Sequence, residues 1–173
     1  VISKFDPKSA RAIKGLSFQN DVQDKLSSKF NSVINSRDWL LSIDPFLKIV
    51  QLNTLEHTWG DVVLFDERIQ HPIFIECVSI NHEKSIFPEH KVKKFEGLNK
   101  YYCFGWDDEK RFVHSKVWNS YARKLKLVMN NNYRSFTKNN ITGLRSQFIC
   151  VDNFCEAIFK VKSMQYENKR YII

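Results

Sequence analysis

Residues 59–95 read W-G-D-V-V-L-F-D-E-R-I-Q-H-P-I-F-I-E-C-V-S-I-N-H-E-K-S-I-F-P-E-H-K-V-K-K-F. Two short apolar runs, 62–65 and 73–79, flank a polar segment of turn character. Both are rich in β-branched and aromatic residues and are bounded by Gly, Asp or Pro, as the strands of a hairpin are. Asp61 opens the first run and Glu76 lies inside the second. Pairing the runs brings the two carboxylates to one end of the sheet. A carboxylate inside I-F-I-E-C-V is costly to bury without a partner. The cheapest partner for two converging carboxylates is a hard divalent cation such as magnesium. The competing reading puts Glu76 on the exposed face of an edge strand and Asp61 in a turn after Gly60.

Upstream, Gly15-Leu16-Ser17 opens a helix, with Ser17 as its N-cap. Phe18, Val22, Leu26, Phe30 and Val33 form one apolar stripe along it, and Gln19 sits in its first turn. The segment 35–58 supports two readings. Residues 39–43 fit a strand or the end of a helix. Asp44-Pro45 suits a helix start, yet 47–52 would serve equally as a strand. Residues 53–58 are polar and read as loop.

Downstream of the hairpin, residues 80–85 read as a polar loop. Pro88-Glu89 starts a helix with Val92, Phe95 and Leu98 on one face, and Gly97 weakens its end. Residues 101–106 read as a buried strand, 107–110 as a turn and 112–114 as a short strand. Ser115 caps a helix over about 116–129. Residues 133–146 read as a basic loop on the working surface, and 147–151 as a late strand. Asp152 caps a final helix carrying Phe154, Ala157, Ile158 and Val161.

A chain of 173 residues that is 43% hydrophobic can bury a core of its own and is not a disordered protein. No apolar run approaches the ~20 residues of a membrane span, and V-I-S-K-F-D-P-K lacks the apolar core of a signal peptide. Cys77, Cys103 and Cys150 lie in apolar or aromatic runs, and no CxxC pair occurs among the four cysteines. They read as reduced thiols of a cytoplasmic protein and argue against zinc. No HExxH, G-x-S-x-G or Gly-rich phosphate loop is present.

The net charge of +8 points to a polyanionic partner. Lysines and arginines crowd residues 84–126, among them Lys84, Lys91, Lys93, Lys94, Arg123, Lys124 and Lys126, interleaved with Phe95, Tyr101, Tyr102, Trp106, Trp118 and Tyr121. Basic groups neutralise phosphates and rings stack on unpaired bases. The competing reading makes most of these rings core residues.

Helix, antiparallel hairpin with two acids, helix, strand, helix: in this order, over roughly residues 15–106, the chain resembles the PD-(D/E)xK nuclease superfamily, the restriction-endonuclease-like fold. Gly15-Leu16-Ser17-Phe18-Gln19 stands where family members carry G-x-x-F-E. Gly60-Asp61 stands for the first acid, and Ile75-Glu76-Cys77-Val78 for the apolar E-x-K. Val78 takes the place of the motif lysine. Because residues i and i+2 of a strand share a face, Val78 points where Glu76 points and offers no charge. The resemblance implies an α/β domain with a central mixed sheet of four to five strands flanked by helices, one domain over 1–173 with its core at 15–162.

The resemblance also implies magnesium- or manganese-dependent hydrolysis of phosphodiester bonds in DNA, with RNA left open. Asp61 and Glu76 would be metal ligands, with the backbone carbonyl of Cys77 as a third. The metal binds the scissile phosphate and lowers the pKa of a bound water. Some family members supply the lysine from another element; here Lys91, at the start of the next helix, is the first candidate and Lys84 the second. Gln19 would orient a ligand or a water. Lys84, Lys93, Lys94, Arg123, Arg134, Lys138 and Arg145 would bind the nucleic acid. Many relatives are dimers, because two strands need two sites; the resemblance leaves a homodimer open, with no signature of its own in the sequence. The alternative is a nucleic-acid-binding module on the same fold that has lost cleavage, which the missing lysine at position 78 favours. A basic protein-interaction domain is the third reading.

Overall fold

The computed structural model describes residues 10–80, 84–106 and 108–170. Helix α1 (Ala10–Ser27) leads into strand β1 (Ser32–Asn35) and helices α2 (Ser36–Ile43) and α3 (Ile49–Trp59). The hairpin follows as strands β2 (Val62–Phe65) and β3 (Ile73–Ser79), paired antiparallel with Val62 opposite Ile75 and Leu64 opposite Ile73. Strand β4 (Lys84–Pro88) and helix α4 (Glu89–Lys94) come next. Strands β5 (Lys100–Trp106) and β6 (Glu109–His114) and helix α5 (Ser115–Ala122) follow them. The chain ends with strands β7 (Lys126–Val128) and β8 (Tyr133–Thr137) and helices α6 (Lys138–Gly143) and α7 (Val151–Arg170).

The central sheet has five strands in the order β1-β2-β3-β5-β6. It is mixed, because β3 and β5 run parallel while the other pairs are antiparallel. The parallel step needs a crossover, and β4 with α4 supplies it. The fold is therefore an α/β domain with a mixed sheet flanked by helices, as the resemblance implies.

Alternation along β3 divides the core in two. Ile73, Ile75 and Cys77 face a cluster with Val22 and Leu26 of α1 and Phe154 and Ile158 of α7. Phe74 and Val78 face a second cluster with Val92 of α4, Phe95, Tyr102, Phe104 and Trp118. Glu76, between Phe74 and Val78, belongs to this second face. Close approach fixes α1 on the first side: a Cβ on Gly105 would lie 2.9 Å from the Phe18 ring.

Several expectations are corrected. Helix α1 starts at Ala10, so Ser17 is an interior residue and not its N-cap. The helix stops at Ser27, which places Phe30 in a turn and Val33 in β1. The undecided segment holds two helices, α2 and α3, joined by the non-helical residues 44–48, and neither 39–43 nor 47–52 is a strand. Asp44 ends α2 as its C-cap, and 53–58 belong to α3, because the helix buries Leu52 and tolerates polar residues on its open side. Lys84 and Ser85 are in a strand rather than a loop. The helix placed at 116–129 ends at Ala122, and its cap is His114, whose ring accepts from the Lys116 N–H. Residues 133–146 are not a loop, and the late strand reduces to one bridge between Ile149 and Phe112. Leu98, placed inward, is 88% exposed. His82 and Asp107 lie outside the described residues.

The missed elements share a cause. β4, β8 and β7 form a second, three-stranded sheet in that order. Its strands are three to five residues long, too short to display a period, and β4 pairs with β8 across about fifty residues of sequence.

Candidate active site

Gly60 closes α3. Its N–H donates to the Glu56 carbonyl, and its φ of +78° lies in the left-handed region. The reversal delivers Asp61 to the mouth of β2. Asp61 lies just before the β2 ladder, with its carboxylate close enough to Glu76 and Lys91 for both charges to act on it. The Asp61 N–H donates to the Ile75 carbonyl at 2.8 Å. β2 begins only at Val62, so it offers no main-chain acceptor to the Cys77 N–H. That group donates instead to Asp61 Oδ2 at 2.8 Å.

Glu76 is buried, with its side chain 6% exposed. Its partner comes from α4: Lys91 Nζ forms an ion pair with Glu76 Oε1. Burial alone would lower the Lys91 pKa, but the Glu76 and Asp61 carboxylates outweigh it and raise it. Burial and the Glu76 charge push Asp61 well above the usual carboxylate range, against the opposing pull of Lys91 and the Cys77 N–H. Two carboxylates thus share one low-dielectric recess with one ammonium group. Burial also pushes the Cys77 thiol well up, so at neutral pH it is a neutral thiol and only the main chain of Cys77 can serve the site.

A buried polar network holds α4 in place. The Tyr102 hydroxyl is 2.7 Å from Asn119 Oδ1, and Asn119 Nδ2 donates to the Phe95 carbonyl at 2.8 Å. The same hydroxyl lies 3.3 Å from the Lys91 and Phe95 carbonyls. Tyr102 is the register partner of Glu76 on β5. Beside Lys91, the rings of His57 and His90 stack with centroids 4.0 Å apart. Burial first, then His57, Lys91 and Lys94, bring His90 down to about 4. Sequence reasoning missed Tyr102, Asn119 and this histidine pair, since nothing in their spacing joins elements so far apart.

The structure thus brings Asp61, Glu76, Lys91 and the Cys77 main chain together. It does not bring Gln19 with them: that residue lies half-buried on α1, which covers the opposite face of the sheet from Glu76. Lys84, Lys93, Lys94, Arg123, Lys138 and Arg145 are exposed. Arg134 differs. Its guanidinium clasps the Glu89 carboxylate, and its Nη1 donates to the carbonyls of Arg123 and Leu125 at 2.8 and 3.2 Å. It is a structural clamp. Phe95, Tyr102 and Trp118 are fully buried and offer no stacking face. Among the described residues, no group of three or more His, Cys, Asp and Glu side chains is placed to hold a metal ion. No helix among them is long and apolar enough to cross a membrane.

Among solved structures, the chain is similar to a Holliday junction resolvase from Archaeoglobus fulgidus, an archaeal hyperthermophile. The identity is 12% and the TM-score 0.49, over 83% of this chain and 96% of that one. No protein-family model matches the chain, and no curated protein matches it.

Proposed function

We propose that this chain is a magnesium- or manganese-dependent nuclease that hydrolyses phosphodiester bonds in DNA. The observation that carries the reading is the meeting of Asp61, Glu76 and Lys91 at one end of the hairpin, with Lys91 supplied by α4 where the motif strand has Val78. The donor set fits a hard cation. Magnesium is typically bound through one or two carboxylates and keeps several waters. Two carboxylates crowded into one recess, where burial disfavours the charge of Asp61, gain most from such an ion. Asp61 and Glu76 would hold it, with the Cys77 carbonyl as a further oxygen.

A bound ion of this kind supplies Lewis acidity to a phosphoryl oxygen and acidity to a water. The protein's own groups do the rest. The Cys77 N–H fixes the Asp61 carboxylate in one orientation. Lys91 keeps its proton, because both carboxylates raise its pKa. A fixed ammonium is suited to stabilising charge as it develops on the phosphoryl oxygens. Gln19 has no place in this arrangement. The exposed Lys84, Lys93, Lys94, Arg123, Lys138 and Arg145 would meet the phosphate backbone.

Incubation with magnesium or manganese and duplex, single-stranded or branched DNA tests the reading. Wild type should cut at least one substrate. Asp61→Ala and Glu76→Ala should each abolish cutting while DNA binding in chelator persists. A wild type that binds DNA but cuts nothing with either metal would instead be a binding module, the reading that Val78 favours.

A further inference from the structure

The positive charge of this protein is segregated. Residues 110–151 contain nine lysines and arginines and no aspartate or glutamate, leaving eighteen basic against nineteen acidic residues in the rest of the chain. The whole excess therefore lies in the segment that builds β6, α5 and most of the second sheet. Within it, β7 is an edge strand. Lys124 and Lys126 are exposed at its start, and its turn, residues 129–132, is exposed throughout.

The turn has an unusual backbone. Met129, Asn130 and Asn131 follow one another in the left-handed region, with φ of 54°, 59° and 63°. Asparagine tolerates this conformation; methionine does so rarely. Met129 is 60% exposed, so no burial compensates it. A turn needed only to reverse the chain would be served better by glycine, and residues held in sparsely populated conformations cluster where a protein binds.

The ribbon is tied to the candidate site. The Glu89 N–H donates to the Asn132 carbonyl at 2.9 Å, two residues before Lys91. Arg134 of β8 clasps the Glu89 carboxylate and the carbonyls of Arg123 and Leu125. Ribbon tip, lysine-bearing strand and the start of α4 are thus linked into one piece.

We infer that the β7–β8 ribbon docks in the major groove of duplex DNA, with Lys124 and Lys126 on the phosphates and the Asn130 and Asn131 amides at the base edges. β8 is paired on its far side by β4, so what is offered to the groove is the β7–β8 turn and the β7 edge. The major groove of B-form DNA is wide enough to take two strands, whereas that of A-form RNA is too narrow. Asparagine offers the paired donor and acceptor that base edges present. The inference extends the nuclease reading of the same site and shares with it the assignment of DNA as partner.

The test is affinity for a linear duplex in chelator over a range of salt, using the full chain. Lys124→Glu/Lys126→Glu should weaken binding at least about tenfold and reduce the salt slope by about 0.9 per lost phosphate contact. Lys14→Glu/Lys25→Glu, on the exposed side of α1, should change affinity far less. Asn130→Gly/Asn131→Gly keeps the left-handed turn and deletes only the amides, so it should fold normally and weaken binding about tenfold with the salt slope unchanged. Ribbon lysine variants no weaker than the α1 variants would overturn the docking surface. A glycine pair that binds like wild type would overturn groove contact by the tip. A wild type that does not bind duplex at all would sink this inference, while the nuclease reading would stand if single-stranded or branched DNA were cut. Ribbon-dependent binding without metal-dependent cutting would leave the ribbon standing and the nuclease reading alone refuted.

Discussion

Lys91 of α4 pairs with Glu76 of β3, so the ammonium reaches the strand's acid from outside the strand. Val78, two residues on, shares the face of Glu76 and is partly buried against the same core. If the lysine acts on the phosphate, Lys91→Met should lower kcat by about 10²–10³, as loss of one electrostatic stabiliser does, with little change in DNA affinity. It also leaves a buried carboxylate unpaired, which costs about 3 kcal/mol, and added magnesium should recover part of that stability in a thermal melt. Val78→Lys in the Lys91→Met background should restore cutting. A Lys91→Met protein that turns over normally would move the role to Lys84 or remove it.

Tyr102 and Asn119 hold the end of α4 without facing the exterior. Asn119→Ala removes the 2.8 Å donor of the Phe95 carbonyl and the 2.7 Å acceptor of the Tyr102 hydroxyl, leaving only the hydroxyl's 3.3 Å contacts with the Phe95 and Lys91 carbonyls. Loss of buried hydrogen bonds with such partial replacement costs about 1 kcal/mol. Because α4 carries Lys91, kcat should fall while KM changes little. Tyr102→Phe should be milder, since Asn119 still holds the Phe95 carbonyl. Urea unfolding alongside steady-state kinetics checks both. A stability loss with kcat untouched would show that the network supports the core and not the lysine.

The hairpin and its two acids were legible because β-branched runs bounded by Gly, Asp and Pro leave few alternatives, and because a carboxylate inside an apolar run must be answered. Lys91 was legible as a candidate, since a helix start near the site was expected to carry it. What failed was length and range. Helix α3 reads as loop at 53–58 because only Leu52 of it is fully buried. The second sheet stayed hidden because β7 has three residues and β4 finds β8 far along the chain. Arg134 resembles any other basic residue in sequence; only the fold sets it against Glu89. Gln19 was placed by resemblance, yet α1 packs on the other face.

Asp66 ties the hairpin turn to the end of α1. Its side chain is fully buried and accepts from the Arg68 guanidinium at 2.7 Å and from the Arg68 and Asn31 N–H groups at 2.9 Å. The Arg68 guanidinium, aided by those N–H groups, holds the carboxyl far below its ordinary range. A carboxylate whose folded pKa is depressed contributes stability above its unfolded value, roughly 3.9, and loses it as pH falls toward the folded one. Asp66→Asn should therefore cost about 2 kcal/mol at neutral pH. The gap to wild type should stay flat above about pH 5 and close below about pH 4. Urea midpoints across that range measure it. A gap that widens on acidification would refute the pairing.

Gly60 lets α3 turn into the Asp61 strand, and two constraints meet there. Its φ of +78° disfavours any side chain, and a Cβ would lie 2.8 Å from the Ile75 carbonyl oxygen and 3.0 Å from the Phe95 ring. The oxygen is main chain in the middle of a sheet, so it cannot swing aside. Gly60→Ala should cost about 3 kcal/mol through backbone strain and contact together. The displacement falls on Asp61, whose N–H is bound to that same Ile75 oxygen. Cutting should drop about 10²-fold even where the protein remains folded, since misplacement by about 1 Å is enough. Gly143→Ala is the control: nothing lies within 4 Å of its added methyl, and stability and cutting should hold. A Gly60→Ala protein that melts and cuts like wild type would show that the approach of α3 to β3 does not set the position of Asp61.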